Sequence, residues 1–267
     1  MESNAVLVDS HAHLNMSSFD EDRDEVIQET FRNHIAAVLC PSEASDPGNI
    51  RTTLDILKKY SRIAAAAGVH PHHAADFSDE CEQRIRGLAE KGKIRAVGEI
   101  GLDFYYSISP RGNQIEVFRS QLELAASLKL PVIIHSREAS SQILEAIDQT
   151  GYSGGGVLHC FTENKKFAGK MLDRGFYISF SGILTFPKAH KIREAAKLIP
   201  DERIMVETDS PYLAPVPYRG KVKRNKPAYV RKTAEFLAGI RKQELSFLAV
   251  STTRNFQDCF KFEIPGL

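Results

Sequence analysis

The sequence predicts an α/β protein that folds as a single (β/α)8 TIM barrel over residues 1–267. Eight apolar runs rich in β-branched residues have the composition of buried parallel strands. Helical patterns alternate with these runs, as they do in βαβ units with right-handed crossovers. The length of 267 residues is near the ~250 residues typical of this barrel, so a second domain is not needed.

The predicted strands are short, and each is bounded by polar or helical segments. They cover residues 5–9, 35–40, 63–69, 94–98, 132–134, 157–158, 176–180 and 204–207. Two of the helical patterns are especially regular. The first lies within residues 113–128, and the second contains Val230, Thr233, Ala234 and Leu237.

An open doubly wound sheet is the alternative fold. Such a sheet usually carries a glycine-rich nucleotide-binding turn after its first strand. Here the first strand runs instead into His11-Ala12-His13. The sequence therefore favours the barrel.

His11 and His13 follow the first predicted strand with one residue between them. In a strand, residues i and i+2 point to the same side. Both imidazoles can therefore face one point beyond the strand, where their ring nitrogens reach a metal ion at roughly 2.0–2.1 Å. Taken alone, the pair is equally consistent with ordinary core or surface histidines.

Further side chains that can bind metal occur where other predicted strands end. Glu99 follows the fourth strand, His135 the fifth and His159 the sixth, and Asp209 lies just beyond the eighth. Active sites of (β/α)8 barrels form at the C-terminal ends of the strands, where residues distant in sequence converge. We therefore expect these four side chains to join the two histidines of the first strand at one mouth of the barrel.

The number of these ligands exceeds the needs of one ion and predicts two divalent ions with open positions for water and substrate. A carboxylate can bridge two ions, whereas an imidazole cannot. Imidazole suits zinc, iron, nickel or manganese and carboxylate suits magnesium or manganese, so the pattern does not choose among Mg, Mn and Zn. We assign one ion to His11, His13 and Asp209, the other to His135 and His159, and the bridge to Glu99.

Short motifs containing these ligands follow one another along nearly the whole chain. They are DSHAHL, GVHPHHA, GEIGLDFYY, PVIIHSREA, HCF and ETDSPYLAP. In this order they resemble the motifs of the TatD family of metal-dependent hydrolases, within the amidohydrolase superfamily. The resemblance implies a (β/α)8 barrel, two divalent metals and deoxyribonuclease activity, often of the 3′ to 5′ exonuclease type. One difference is that the family often has Asn-Glu-Pro where this chain has Asn225-Lys226-Pro227.

The predicted centre suits phosphodiester hydrolysis. Water shared by two cations has a pKa lowered toward ~7 and becomes a nucleophile at neutral pH. Asp209 is the candidate general base and Glu99 the bridging carboxylate, while Glu207 is expected to orient a neighbour. We predict a deoxyribonuclease that uses a metal-bridged hydroxide, with the ends of single-stranded DNA as its substrate.

Two other functions are compatible with the sequence. An amidohydrolase or esterase acting on a small C–N or C–O substrate would use the same water on a carbonyl group. Many superfamily relatives of that kind carry a carboxylated lysine where this chain has Glu99. A non-catalytic, metal-stabilised binding protein would have closed coordination, which the surplus of ligands does not favour.

His70 and Arg137 are predicted to contact the substrate, from their positions and from the resemblance. His70 closes the third predicted strand, and the planar guanidinium of Arg137 matches a phosphate. A basic stretch with interleaved aromatic residues, residues 218–232, follows the eighth strand. It is compatible with nucleic-acid binding and equally with a solvated loop and helix face.

Composition limits the partners without choosing among them. The 35 Lys and Arg residues against 34 Asp and Glu residues give a net charge of +1, unlike a dedicated duplex-binding protein. The four cysteines have no paired spacing, and neither a signal peptide nor a membrane span is apparent. We therefore expect a cytoplasmic protein with no membrane association and no obligate protein partner.

Overall fold

Eight parallel strands form the centre of the structure, a computed structural model that describes residues 5–267. The strands are hydrogen-bonded in the order in which they occur along the chain. They are β1 (Leu7–Asp9), β2 (Ile35–Glu43), β3 (Ile63–Gly68), β4 (Ala96–Asp103), β5 (Val132–Arg137), β6 (Gly156–Leu158), β7 (Phe176–Phe180) and β8 (Ile204–Val206).

Helices follow the strands and pack around them, which confirms the predicted barrel. One α-helix follows each strand from β1 to β7, and two follow β8. No helix within residues 5–267 combines the length and the apolar character needed to cross a membrane. The α-helices of this range are α1 (Arg23–Arg32), α2 (Pro47–Lys59), α3 (Asp79–Glu90), α4 (Arg111–Leu128), α5 (Ser140–Thr150), α6 (Lys165–Leu172), α7 (His190–Ala196), α8 (Val230–Arg241) and α9 (Leu245–Phe260).

The barrel closes where the residues after β1 meet β8 and the residues that follow it. The Ser10 N–H donates a hydrogen bond to the Val206 carbonyl over 3.1 Å, and Ala12 forms a parallel bridge with Ser210. Closure gives both edge strands a partner and removes the open edges of the sheet. It also brings the segments that follow β1 and β8 side by side at the C-terminal mouth.

Three strands extend further than their apolar runs predict. β2 continues to Glu43, β4 to Asp103 and β5 to Arg137, although the predicted strands end at residues 40, 98 and 134. The additional residues include polar side chains that face the mouth. A strand boundary taken from the end of an apolar run is therefore too early at this end of the barrel.

Side chains alternate between the barrel interior and the layer between strands and helices. In β5, Val132 and Ile134 belong to the layer beneath the helices, whereas Ile133 belongs to the interior cluster. All three are fully buried. A residue two positions beyond an interior residue therefore points toward the barrel axis.

Helix α9 and the residues after it close the N-terminal end of the barrel. Phe256 and Phe260 pack into the interior cluster and are almost completely buried. The Asn255 side chain donates hydrogen bonds to the carbonyls of Asp201 and Ile204, both over 2.8 Å, at the start of β8. The interior is thus filled at this end, and the opposite end carries the mouth.

A β-bulge in β4 turns Glu99 toward the barrel axis. Val97 pairs with Val132 and Ile100 pairs with Ile134, so β4 uses one more residue than β5 over this stretch. Strict alternation from Val97, which packs outward, would place Glu99 on the outer face as well. The extra residue reverses this alternation.

Gly98 makes room for the bulge, because a Cβ atom at this position would lie 2.6 Å from Ile133 Cβ. We expect Gly98→Ala to lower the free energy of unfolding by about 1–3 kcal/mol, the usual cost of overpacking a core. Urea unfolding followed by circular dichroism measures this loss. Gly87→Ala is the matched control, because Gly87 lies in α3 with open space around it. A Gly98→Ala protein as stable as the wild type would contradict this account of the bulge.

Candidate metal centre

The strands present polar side chains just beyond their buried interior residues. His135 follows Ile133 by two positions in β5, and His159 follows Val157 by two positions after β6. Glu207 stands in the same relation to an interior residue of β8. These side chains therefore point inward at the C-terminal mouth.

Glu99 lies at the centre of this mouth, and its two oxygens face two different sets of imidazoles. Glu99 Oε1 lies 2.7 Å from His159 Nε2 and 3.0 Å from His135 Nδ1. Glu99 Oε2 lies 3.1 Å from His11 Nε2 and 3.7 Å from His13 Nε2. One carboxylate thus connects two groups of ligand-type side chains.

Asp209 lies beside the second of these groups. Its Oδ1 is 3.5 Å from His13 Nε2 and 3.9 Å from His11 Nε2. The Asp209 N–H donates to the His11 carbonyl over 2.9 Å, and the residue adopts a left-handed conformation with φ of 56°. All six side chains expected to bind metal are therefore brought together at one mouth.

The polar atoms of the centre fit a cation better than a closed hydrogen-bond network. Within residues 5–267, His11 Nδ1 and Glu207 Oε2 are buried without a hydrogen-bond partner, and the 2.7 Å contact of His159 Nε2 with Glu99 Oε1 lacks hydrogen-bond geometry. Buried polar atoms are rarely left unpaired in proteins, and converging nitrogen and oxygen lone pairs suit a bound metal. In this part of the chain, three groups have ligand atoms within 4.8 Å of one another. They are His11, His13 and Glu99; His11, His159 and Glu207; and His70, Glu99 and His135.

Opposite charges in the centre shift the pKa values of its members. Burial raises the pKa of Glu99, but His159, His70 and His11 together lower it well below its usual range. Burial lowers the pKa of His159, while Glu99 and Glu207 raise it well above its usual range overall. The Glu99 carboxylate is therefore ionised, and the centre favours positive charge, which divalent cations supply.

The side chains of the centre differ in burial, and one side of the centre is accessible to solvent. His11 and His159 are buried, whereas His13, His70 and His135 are partly exposed. A structural metal site is usually enclosed by protein ligands, and a catalytic site keeps an open position. The exposure of these imidazoles is typical of the second kind of site.

Two carboxylates behind the centre orient two of its imidazoles. Asp103 Oδ2 lies 3.2 Å from His135 Nε2, and Glu207 Oε1 lies 3.3 Å from His159 Nδ1. A histidine that binds metal through one nitrogen usually donates its other N–H to such a partner. An orienting position was predicted for Glu207. The sequence places Asp103 in a loop that can line the mouth, with packing as the alternative, and does not predict its contact with His135.

A third carboxylate, Asp9, stabilises the closure of the barrel beside the centre. It accepts hydrogen bonds from Thr208 Oγ1 over 2.5 Å, from Thr208 N over 2.9 Å and from His11 N over 3.2 Å. Burial raises the pKa of Asp9 well above its usual range, against the effect of these hydrogen bonds. Asp9 was not predicted as a site residue because it reads as the last residue of a strand.

We expect Asp103→Asn to weaken the binding of one divalent ion by about 10- to 100-fold, the usual effect of losing such an orienting partner. The neutral amide holds the His135 ring less strongly than the carboxylate does. Titration calorimetry with Mn²⁺ measures the affinity. Asp148→Asn is the control, because that exposed carboxylate pairs with Arg174 on the helical layer. Unchanged Mn²⁺ affinity in the Asp103 variant would rule out this orienting effect.

The two residues expected to contact substrate lie at different depths in the mouth. His70 Nε2 is 3.3 Å from Glu99 Oε1, so His70 stands among the candidate ligands. Burial lowers the pKa of His70 to about 4, which keeps its imidazole neutral at pH 7. Arg137 lies further out, with its guanidinium carbon 4.2 Å from the Tyr105 ring centroid and 4.6 Å from that of Tyr106.

Several cations of the basic stretch, residues 218–232, bind other parts of the protein. Lys226 pairs with Glu29 of α1 over 2.6 Å, and Arg224 pairs with Asp22 over 2.5 Å. Lys226 therefore connects the stretch to α1. Ion pairs within the protein therefore account for the presence of both Lys226 and Arg224 in this stretch.

A barrel with imidazole and carboxylate side chains converging at its C-terminal mouth is typical of metal-dependent hydrolases. Residues 8–261 match the family model described as TatD related DNase. The chain therefore belongs to the TatD family of metal-dependent hydrolases.

Individual relatives agree with this assignment. The protein named "Uncharacterized metal-dependent hydrolase YcfH" of Escherichia coli (strain K12) is 40% identical over 98% of each chain. The "3'-5' ssDNA/RNA exonuclease TatD" of Salmonella typhimurium is 32% identical over 96% of this chain and 99% of its own. The crystal structure of YJJV, a TatD homologue from E. coli, has a TM-score of 0.89 at 25% identity and covers 98% of this chain and 100% of its own.

Proposed function

We propose that this protein is a 3′–5′ exonuclease that hydrolyses phosphodiester bonds at the ends of single-stranded DNA with two divalent ions. The observation that best supports two ions is that the two oxygens of Glu99 face separate groups of imidazoles. The Salmonella relative carries the name of an exonuclease with this polarity.

The side chains of the centre divide into two ligand sets around Glu99. When bound, the ions supply Lewis acidity, which activates water and stabilises negative charge on the phosphoryl oxygens. Mg, Mn and Zn are all compatible with the mixed donor set. One set consists of His11, His13 and Asp209, the other consists of His135 and His159, and Glu99 belongs to both.

Asp209 is the proposed general base. Burial raises its pKa, but the hydrogen bond with His13 and the charges of His11 and His159 lower it overall, so the carboxylate is ionised. It accepts the proton of the attacking water as the water oxygen bonds to phosphorus and the P–O3′ bond breaks. The proton then passes to the leaving 3′ oxygen. The products are a 5′-mononucleotide and a strand that is shorter by one nucleotide.

Arg137 is the proposed phosphate-binding residue of the mouth. Its guanidinium can donate two parallel hydrogen bonds to a phosphate group. The guanidinium packs against the rings of Tyr105 and Tyr106. It thus holds the strand while Asp209 moves the proton.

The test is hydrolysis of a single-stranded DNA oligonucleotide, labelled at its 5′ end, by purified protein supplied with Mg²⁺, Mn²⁺ or Zn²⁺. We expect a ladder of labelled strands that shortens with time, together with release of 5′-mononucleotides. Metal analysis of the active protein should give two ions per chain. The matched control is the same reaction with EDTA, which should abolish cleavage.

Substrate panels decide between this function and its alternatives. RNA and duplex DNA of the same sequence test the preference for single-stranded DNA. Hydrolysis of small esters or amides without any cleavage of nucleic acid would contradict the proposal in favour of an esterase or amidohydrolase. The cytoplasmic location and the lack of an obligate protein partner stay predictions.

A further inference from the structure

Two tyrosines and an arginine form an exposed cluster at the rim of the mouth. Tyr105 and Tyr106 lie in the loop between β4 and α4, and 56% and 55% of their surfaces are exposed. Arg137, at the end of β5, places its guanidinium carbon 4.2 Å and 4.6 Å from the two ring centroids. We refer to Tyr105, Tyr106 and Arg137 as the tyrosine–arginine cluster.

The cluster is fixed to the metal centre through Asp103. Asp103 Oδ1 accepts hydrogen bonds from the backbone N–H groups of Tyr105 over 3.1 Å and Tyr106 over 2.9 Å. The other oxygen of the same carboxylate lies 3.2 Å from His135 Nε2. One buried side chain therefore orients a candidate metal ligand and holds the loop that carries both rings.

The tyrosine–arginine cluster is energetically unfavourable on a surface that binds no ligand. Exposed tyrosine rings leave apolar area in water, and the guanidinium contacts both rings without an ion pair to a carboxylate in the described part of the chain. Both tyrosines remain more than half exposed beside the guanidinium. They therefore offer stacking surface next to a positive charge that has donors to spare.

We propose that the tyrosine–arginine cluster binds one unpaired nucleotide of the substrate strand. A tyrosine ring stacks on the base, and Arg137 binds the phosphate attached to that nucleotide. Stacking requires a base whose face is free, so the site selects single strands over duplexes. This inference rests on the proposed function, because it assigns a nucleotide subsite to the same mouth.

The experiment compares wild type, Tyr105→Ala/Tyr106→Ala and Tyr105→Phe/Tyr106→Phe. Each protein is assayed on a thymidine dodecamer and on bis(4-nitrophenyl) phosphate, a diester without a nucleobase. We expect the alanine variant to lose about 10- to 100-fold in kcat/KM on the dodecamer, mainly through KM, as loss of base stacking does. The loss on the small diester should be much smaller, so the ratio of the two kcat/KM values falls. The phenylalanine variant keeps both rings and should keep the wild-type ratio.

Dodecamers with one abasic residue locate the stacked base. In the wild type, removing the base at one position from the 3′ end should reduce kcat/KM about as much as the alanine substitutions do. In the alanine variant, the same abasic residue should cause no further loss, because the two changes remove one interaction.

The outcomes distinguish failure of the stacking site from failure of the proposed exonuclease function. If the wild type degrades the dodecamer and the alanine variant has the same kcat/KM on it, the stacking site is disproved. The exonuclease function is not affected by that result. Equal losses on both substrates also overturn the stacking site, because they indicate a general disturbance of the centre. A wild type that hydrolyses only the small diester contradicts the exonuclease function, and the stacking site with it.

Discussion

Glu99→Gln is expected to remove one divalent ion, to weaken the binding of the other and to lower kcat by more than about 10³-fold, because Lewis-acid stabilisation by metal is worth several kcal/mol. Glu99 Oε1 faces His159 and His135, and Oε2 faces His11 and His13. Glutamine is neutral, and its NH₂ group has no lone pair for a cation. One of the two faces therefore loses its ligand, and the shared negative charge disappears.

Metal analysis and DNA hydrolysis of the Glu99 variant measure this effect. Glu29→Gln is the matched control, because Glu29 is a partly buried carboxylate of α1 that pairs with Lys226 away from the centre. The control should keep two ions and activity close to that of the wild type. A folded Glu99→Gln protein that keeps two ions and most of its activity would disprove the bridging role.

Phe256→Ala is expected to lower the free energy of unfolding by about 3–5 kcal/mol, the usual cost of removing a large buried ring. Phe256 is fully buried and packs against Phe260 with ring centroids 5.2 Å apart, inside the interior cluster. Strands from all around the barrel surround this cluster, so the cavity has few flexible neighbours that can fill it. Denaturant unfolding monitored by circular dichroism gives the difference.

Phe247→Ala, on the same helix, is the control for this prediction. Phe247 is 52% exposed, so removing its ring should change the stability by less than about 0.5 kcal/mol. If both variants were equally stable, the ring of Phe256 would contribute little to the closure of the barrel, contrary to its burial.

The fold was predictable because its signals are local. Each buried strand leaves an apolar run in the sequence, and each covering helix leaves apolar residues at helical spacing. The convergence of the six candidate ligands also follows from one rule, since the C-terminal ends of parallel strands meet at one mouth. The general position of the centre could therefore be predicted without knowing any particular contact.

The details that were not predictable depend on pairs distant in sequence. The bulge that turns Glu99 inward is defined only by the register of β4 against β5. Asp9 binds Thr208, which lies 199 residues away, and Lys226 binds Glu29 at a separation of 197 residues. No local pattern marks such partners, because any acid or hydroxyl side chain would give the same sequence signal.

Helix α9, which closes the N-terminal end of the barrel, is one of the last elements to be made during synthesis of the chain. A ribosome releases the chain from its N-terminus, so β1 is finished long before its partner β8, and the rings of Phe256 and Phe260 emerge later still. Until then, the nascent chain has unpaired backbone groups along β1 and a hollow interior open to water. The growing polypeptide therefore exposes one edge of the sheet and its apolar interior until α9 is made.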